Sequence, residues 1–580
     1  MSTHRNETAA VDRPRRAATP AILVPMALVA LVVACQGREE EEPGVSPEQT
    51  TESVDLLVRG ARIWTGDEND PWAEAVAVAG DRIVAVGSDD ELAPLADRAG
   101  RVIDAAGATV APGFIDTHVH FLDGGFRLSS VQLRDAATPE EFAQRIAEFA
   151  ATVPTGTWIL GGDWDHENWG GELPHRDWID DLVPEHPVWV NRLDGHMALA
   201  SSLALERAGV DAATAVPEGG EIERDETGRI TGILRDNAMP LVDRVVPEPS
   251  DAQEDTALDA AMRYVASHGV TSVHNMGTWE QLEVFRRAHA AGRLQTRIYA
   301  AVPLATWERL AETVQREGRG DEWLRTGLLK GFVDGSLGSH TAAFLADYSD
   351  EPGERGLFVT SEEDLRQRIG GADAEGLHVT VHAIGDHAVR TLLDLFEEAA
   401  AANGPRDRRF RMEHAQHVHP DDLDRFAELE VIPSMQPYHA IDDGRWAERV
   451  IGAERSATTY PFGSLLERGA RLAFGSDWFV APPIPLLGLD AAVNRRTLDG
   501  ANPDGWYPEQ RIGLEPALRA YTRDAAYSSF EERLKGTIEV GKLADLVVLD
   551  RDLFADDGAS LAEAAVRYTV VGGEVVYEAE

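Results

Sequence analysis

The stretch GFIDTHVH at residues 113–120 predicts a short buried strand that ends in two histidines. Seven further candidate strands follow along the chain, and helical segments separate several of them. Strands that alternate with helices predict βα units and a parallel sheet, and eight such strands are the number that a closed (β/α)8 barrel requires. The further stretches are 269–276, 296–302, 328–334, 377–384, 410–416, 430–437 and 471–477.

Both sides of this middle region alternate apolar and polar residues with glycines, which is typical of strands and hairpins. Residues 54–112 and 535–580 predict one small β-sandwich domain, because chain ends often lie close together. The predicted α/β barrel, TIM-like in form, runs from 113 to 534. It includes a long insertion after its first strand, 121–262, which carries strand candidates of its own and is expected to lie over the barrel mouth.

The charge and the cysteine count exclude several kinds of partner and site. A net charge of −46 argues against nucleic acids and anionic membrane surfaces as partners. The single cysteine, Cys35, allows no internal disulfide and no cysteine metal cluster.

The first 35 residues have the pattern of a secretory signal, with a basic head before an apolar run. LVVAC at 31–35 resembles a bacterial lipobox, which predicts an exported lipoprotein anchored in the cell envelope by a lipid on Cys35. Residues 36–53 would form an acidic tether. An uncleaved anchor helix is the alternative, although the apolar run is short for a membrane span and contains Pro25.

Polar side chains lie at the ends of several predicted barrel strands. His118 and His120 end the first strand, and their spacing of two puts both imidazoles on one face. His382, His414 and Asp477 belong to the fifth, sixth and eighth strands. Active sites of parallel barrels form at the carboxyl ends of the strands, and imidazole and carboxylate ligands suit a divalent ion such as zinc.

Lys330 lies inside the fourth predicted strand, LLKGFVD at 328–334. The chain has three lysines against 51 arginines, so a lysine at this position is unusual. A buried ammonium group is costly unless it is paired or chemically altered. The residues alone leave three interpretations: the side chain reaches water, pairs with a carboxylate, or belongs to the metal site.

Two motifs make the chain similar to the amidohydrolase superfamily over residues 54–580. APGFIDTHVH at 111–120 resembles its opening signature, and KGTIEVGKLADLVVLD at 535–550 resembles its closing one. Three further segments resemble a branch that includes N-substituted formamide deformylases: RLDGH at 192–196, GFVDGSLGS at 331–339 and HAIGDHA at 382–388.

The resemblance implies a site for two divalent ions, with zinc as the first candidate. The implied ligands are His118, His120 and Asp477 for one ion, His382 and His414 for the other, and Lys330 for both. Lys330 would be carbamylated by CO2, and its carbamate would bridge the two ions. Carbamylation needs a neutral amine, which burial favours. The rival is a one-metal site in which this lysine stays an ammonium.

The resemblance also implies a mechanism, in which a hydroxide between the ions attacks a substrate carbonyl. Asp477 would take the proton of the hydroxide and pass it to the leaving nitrogen. His196 would contact the carbonyl oxygen or its oxyanion. The expected substrate contacts are Trp164, Asp165, His196, Asp334 and Trp478.

Three functions compete at this point. The leading one is hydrolysis of a C–N bond, other than a peptide bond, in a small amide, N-formyl or cyclic amide substrate. The second keeps the metal ions but cleaves an ester, lactone or peptide-like bond. The third is a tethered lipoprotein that binds a small ligand without chemistry, which the presence of all six implied ligands disfavours. The sequence is also compatible with an oligomer.

Overall fold

A computed structural model describes residues 54–556 and 558–579. The predicted signal peptide, residues 1–35, and the tether, residues 36–53, lie outside the described residues, so lipid attachment at Cys35 stays a prediction. Among the helices of the described part, none combines the length and the apolar character that crossing a bilayer requires.

Eight parallel strands form the predicted barrel, and each pairs with the next one along the chain. An isolated parallel bridge between Val119 and Trp478 brings the last strand back to the first, so the ring is nearly closed. The predicted fold class is thereby confirmed. The strands are β1 (Phe114–Val119), β2 (Val270–Met276), β3 (Arg297–Pro303), β4 (Leu324–Phe332), β5 (His378–Ala383), β6 (Arg411–His414), β7 (Ile432–Met435) and β8 (Ala473–Phe474).

Helices surround the barrel, and the longer ones bury apolar residues on one face. Helix Asp386–Asn403 after β5, for example, buries Leu392, Leu393 and Phe396. The other helices of this region are Phe121–Arg127, Asp251–Ala266, Trp279–Ala290, Trp307–Glu317, Glu362–Ala374, Arg425–Glu428, Pro437–Asp443, Ala447–Ile451, Ala453–Ser456, Phe462–Glu467, Pro485–Asn494, Leu514–Ala520 and Arg523–Ser528.

The segment between β1 and β2 forms a mixed six-stranded sheet with its own apolar core. The loop that follows its third strand lines the cavity at the barrel mouth. The strands are Val131–Gln132, Ile159–Trp164, Val188–Arg192, Met197–Ala200, Gly220–Arg224 and Ile230–Asp236, with helices Pro139–Ala150, Ser202–Ala208 and Pro240–Asp243.

Two further sheets pack around a shared core that includes Val58, Val76 and Leu546. The four-stranded sheet precedes the barrel in the chain, and the six-stranded sheet combines strands from before and after it. This is the β-sandwich that the fold class includes. The four-stranded sheet contains Val54–Arg59, Ala75–Ala79, Arg82–Gly87 and Ala99–Asp104, and helix Asp89–Leu92 follows its third strand. The six-stranded sheet contains Arg62–Trp64, Trp72–Ala73, Thr109–Pro112, Leu546–Leu549, Val566–Val571 and Glu574–Glu578.

A buried ion pair joins the β-sandwich to the barrel. Arg297 of β3 donates from Nε to Asp545 Oδ2 at 2.7 Å and from Nη2 to Oδ1 at 2.9 Å. Gly572 N donates to the same Oδ1 at 2.8 Å. Asp545 belongs to the closing sequence motif, so this contact gives that motif a structural role.

Candidate metal centre

A cavity of about 210 Å³ lies at the carboxyl ends of the barrel strands. Strand ends that are far apart in the sequence meet there because all eight strands are parallel. The cavity brings together all six predicted ligands, namely His118, His120, Lys330, His382, His414 and Asp477.

The first cluster forms around Asp477, which follows β8. Its Oδ1 lies 3.3 Å from His118 Nε2 and 3.4 Å from His120 Nε2. Ligand atoms of His118, His414 and Asp477 all lie within 4.8 Å of one another. Asp477 Oδ1 is buried and makes no hydrogen bond within the described residues. An orphaned carboxylate oxygen among imidazoles is the arrangement that a divalent cation satisfies.

Each of three histidines is held by an acceptor on one ring nitrogen. His118 Nδ1 donates to Glu413 Oε2 at 2.6 Å, and His414 Nδ1 donates to Gln436 Oε1 at 2.8 Å. His382 is held through its other nitrogen, since Nε2 donates to Gly335 O at 2.9 Å. The remaining nitrogen of each ring keeps its lone pair for a metal ion.

Electrostatics keep these groups in their metal-binding protonation states. Burial lowers the pKa of His118 to about 4 and holds those of His382 and His414 well below the ordinary value. Burial opposes ionisation of Asp477, but the nearby imidazoles of His118 and His120 outweigh it and hold its pKa well below the usual range. Neutral imidazoles and an ionised carboxylate fit a zinc-type ion.

Lys330 is buried beside these ligands without an ion pair among the described residues. Its Nζ lies 3.2 Å from His118 Nε2 and 4.8 Å from the centre of the Phe332 ring. Burial lowers its pKa to about 8. Lys535 is equally buried but pairs with Glu531 at 3.1 Å, so the two buried lysines differ in whether their charge is compensated.

Two of the predicted ligands sit on unusual backbone conformations. His414 has a φ of 73° and Asp477 a φ of 61°, in the left-handed region that side chains with a Cβ rarely adopt. Hydrogen bonds hold this turn, since Asp477 N donates to His118 O at 2.7 Å and Ser476 N donates to Asp116 Oδ1 at 2.9 Å. Residues in such conformations cluster at functional sites.

His196 lines the cavity from the insertion, where its ring centre lies 5.3 Å from that of His382. Its Nδ1 donates to Asp236 Oδ1 at 2.7 Å. Burial alone would lower the pKa of His196, but the Asp236 carboxylate outweighs it and raises the pKa to about 9. The ring is therefore an imidazolium at neutral pH, with Nε2 left to act as a donor.

Two other predicted substrate contacts, Asp165 and Asp334, differ in whether they line the cavity. Asp165 lines the cavity and lies 3.2 Å from both Arg192 and Arg445. Asp334 is fully buried and accepts from the backbone N–H groups of Ala343, Ile384 and Gly385, which makes it a support for two loops.

The two predicted tryptophan contacts are packed in apolar cores. Trp164 belongs to the core of the insertion, and Trp478 packs against Phe121 and Tyr264. Neither belongs to the residues that line the cavity in the described part of the chain. Phe479, two positions after Asp477, lines the cavity in place of Trp478.

Several residues of the site were not among the sequence candidates, including Glu413, Gln436, Asp236 and Phe479. A signal was present for Glu413, because a carboxylate inside the predicted barrel strand FRMEHAQ needs a partner, as the lysine in β4 does. For Asp236, which lies 40 positions from its partner His196, spacing carries no such signal.

Comparisons with known proteins agree with this geometry. The amidohydrolase family model matches residues 101–577. The chain is 40% identical to the protein LONG AFTER FAR-RED 3 of Arabidopsis thaliana, over 90% of this chain and 92% of that one. It is 30% identical to N-substituted formamide deformylase of Arthrobacter pascens, over 91% and 99% of the two chains.

The chain is also similar to a solved structure. The crystal structure of an uncharacterized metal-dependent hydrolase from Pyrococcus furiosus superposes with a TM-score of 0.67 and 30% identity, and covers 86% of this chain and 99% of that one. The chain therefore belongs to the amidohydrolase family and is a metal-dependent hydrolase.

Proposed function

We propose that this protein hydrolyses a C–N bond, other than a peptide bond, in a small amide, N-formyl or cyclic amide substrate. The observation that carries the proposal is the convergence of four histidines, Lys330 and Asp477 on one cavity. The similarity to N-substituted formamide deformylase, which extends over 99% of that enzyme, supports a C–N bond as the target.

The proposal includes two divalent ions, preferentially zinc. His118, His120 and Asp477 would hold one ion, and His382 and His414 would hold the other. Bound ions of this kind polarise a carbonyl group and make an ionised water available at neutral pH.

Lys330 would connect the two halves of this site as a carbamate. Because burial lowers its pKa to about 8, part of the population has a neutral amine at neutral pH. The Nζ lone pair forms a C–N bond to CO2, one proton leaves the nitrogen, and the added carboxylate carries one negative charge. Counted from the ammonium form, two protons leave in all, and a buried cation without an ion pair is replaced by an anion with two ligand oxygens.

Asp477 and His196 would handle the proton and the carbonyl oxygen. The Asp477 carboxylate is ionised, so it can accept a proton and pass it to the leaving nitrogen. His196 Nε2 can donate to the carbonyl oxygen, where a charged donor stabilises the negative charge that develops during attack.

The part of the cavity wall beside the metal ligands would favour a compact substrate. Phe332, Leu337, Ile384 and Phe479 line it with apolar surface. A cavity of about 210 Å³ accepts a compact molecule whose apolar substituent packs against these side chains.

A substrate panel tests the proposal on zinc-loaded protein. The panel pairs N-formyl and N-acetyl amines and cyclic amides with esters and lactones of the same carbon skeleton. We expect amine release from at least one amide series, with the matched esters cleaved no faster. Turnover confined to esters and lactones, or to dipeptides, would contradict the assignment to C–N bonds of this class.

A further inference from the structure

A layer of buried polar side chains lies beneath the predicted metal ligands, inside the barrel. Glu413 of β6 is fully buried, and its Oε2 accepts the Nδ1 hydrogen bond of His118 at 2.6 Å. Its other oxygen, Oε1, accepts from Thr380 Oγ1 and lies 2.7 Å from Arg411 Nη2. Both carboxylate oxygens are occupied, so Glu413 cannot rotate away from His118 without breaking these contacts.

Arg411 extends this network across the barrel. It is fully buried and donates from Nη2 to Thr117 O at 2.6 Å and to Ser434 Oγ at 3.1 Å. Its Nη1 donates to His274 Nδ1 at 2.8 Å. These contacts of Arg411 connect β6 with β1, β2 and β7. Barrel interiors are usually filled by apolar side chains, and a buried ion pair carries a desolvation cost, so the Glu413–Arg411 pair calls for a reason other than stability.

We propose that Glu413 is a positioning residue for the metal centre and that Arg411 fixes Glu413 in turn. An ionised carboxylate can only accept, so the hydrogen bond keeps the proton of His118 on Nδ1 and leaves the lone pair of Nε2 toward Asp477 and Lys330. A carboxylate partner also makes an imidazole a stronger ligand. The proposal requires only ion binding and does not depend on which bond the enzyme cleaves.

The other two held histidines provide an internal comparison. His414 is held by the amide oxygen of Gln436, and His382 by the backbone oxygen of Gly335. Of these three hydrogen bonds, the one made by His118 is therefore the one with a carboxylate as acceptor, although Asp334 Oδ1 also lies 3.5 Å from His382 Nε2. Removal of the Glu413 charge should affect ion binding through a single ligand.

The test is a zinc titration of the metal-free chain against a competing chelator, with wild type beside Glu413→Gln. Glutamine keeps the size of the side chain but removes its charge. We expect zinc affinity to fall by roughly 10–100-fold, the range for loss of a partner of a metal-binding histidine. The absorption spectrum of the Co²⁺-loaded variant should also change, because the ligand geometry changes. Wild-type affinity and spectrum in Glu413→Gln would overturn the proposal.

A second variant covers the case in which Glu413→Gln leaves Arg411 unpaired and fails to fold. Arg411→Met combined with Glu413→Gln removes both charges, and such neutral replacements of buried pairs are often tolerated. Its zinc affinity should still fall, and unchanged affinity would also overturn the proposal.

The matched control is Glu531→Gln, a buried glutamate whose partner is Lys535 rather than a predicted ligand. It should lower the unfolding temperature without weakening zinc. A loss of zinc affinity equal to that of Glu413→Gln would show a general effect of buried charge and would also contradict the positioning role. These readouts report zinc affinity and ligand geometry, so a negative amide panel has no bearing on them.

Discussion

Asp477 Oδ1 lies 3.3 Å from His118 Nε2, and between them the two residues span almost the whole barrel sequence. Asp477 N also donates to His118 O at 2.7 Å, so the same backbone contact that closes the barrel sets the distance between the two side chains. The contact that closes the barrel therefore also brings two of the predicted metal ligands together.

Asp477→Asn tests the proton-transfer role. The substitution keeps the shape of the side chain but removes its basicity, and we expect the rate constant of the chemical step to fall by about 10²–10⁴-fold. The rate is to be measured at saturating substrate, with zinc content determined on the same samples. Asp422→Asn is the control, since Asp422 is a buried carboxylate that pairs with Arg390 away from the cavity. Full activity of Asp477→Asn would contradict the assigned role.

Lys330→Ala tests the carbamate. Elemental analysis of the purified chain should give two ions in wild type and one or none in the variant, because the bridging ligand is lost. Intact-mass measurement should also show the added mass of CO2 on wild type and its loss after exposure to acid. One ion in both proteins would leave Lys330 as an ordinary charged group beside a mononuclear site.

The His196–Asp236 pair predicts an alkaline limit of activity. Because the pKa of His196 is raised to about 9, the donor form persists through neutral pH and activity should fall as the pH rises through about 9. Asp236→Asn removes the carboxylate charge and should move this limit to lower pH, with zinc content unchanged. The raised pKa also means that the charged ring stabilises the fold at low pH and that this contribution is lost above about 9.

A second histidine–aspartate pair provides the control for the pH profile. His340 lies 3.2 Å from Asp350 and does not belong to the residues that line the described cavity. His340→Gln should leave the alkaline limit in place. An identical shift in both variants would point to a general change in surface charge instead of a donor at the reaction centre.

Much of the fold was predictable, and so was the convergence of the predicted ligands on one cavity, because simple rules of strand packing govern both. Apolar strands that alternate with helices are compatible with few folds, and parallel strands place their carboxyl ends on one face of the barrel. His118, Lys330, His382 and Asp477 could therefore be grouped without knowledge of a single contact.

Side-chain surroundings were harder to predict. A tryptophan next to a motif fits a cavity wall or a core equally well, and Trp164 and Trp478 lie in cores. The rarity of lysine identified Lys330, but Lys535 is buried as well, and only the partner Glu531 distinguishes them. Partners such as Asp236 depend on how the insertion sheet packs, which no local pattern encodes.

The buried pair between Arg297 and Asp545 predicts a large effect on stability. Removal of one partner leaves a buried charge uncompensated, so Asp545→Ala should lower the free energy of unfolding by about 3–5 kcal/mol in urea denaturation. Glu578→Gln provides the contrast, because Glu578 pairs with Arg101 at 2.8 Å on the surface, where an ion pair contributes about 0–1 kcal/mol. Combining Asp545→Leu with Arg297→Met should recover much of the loss, since both charges are then absent. If Asp545→Ala costs no more than Glu578→Gln, this pair does not hold the β-sandwich to the barrel.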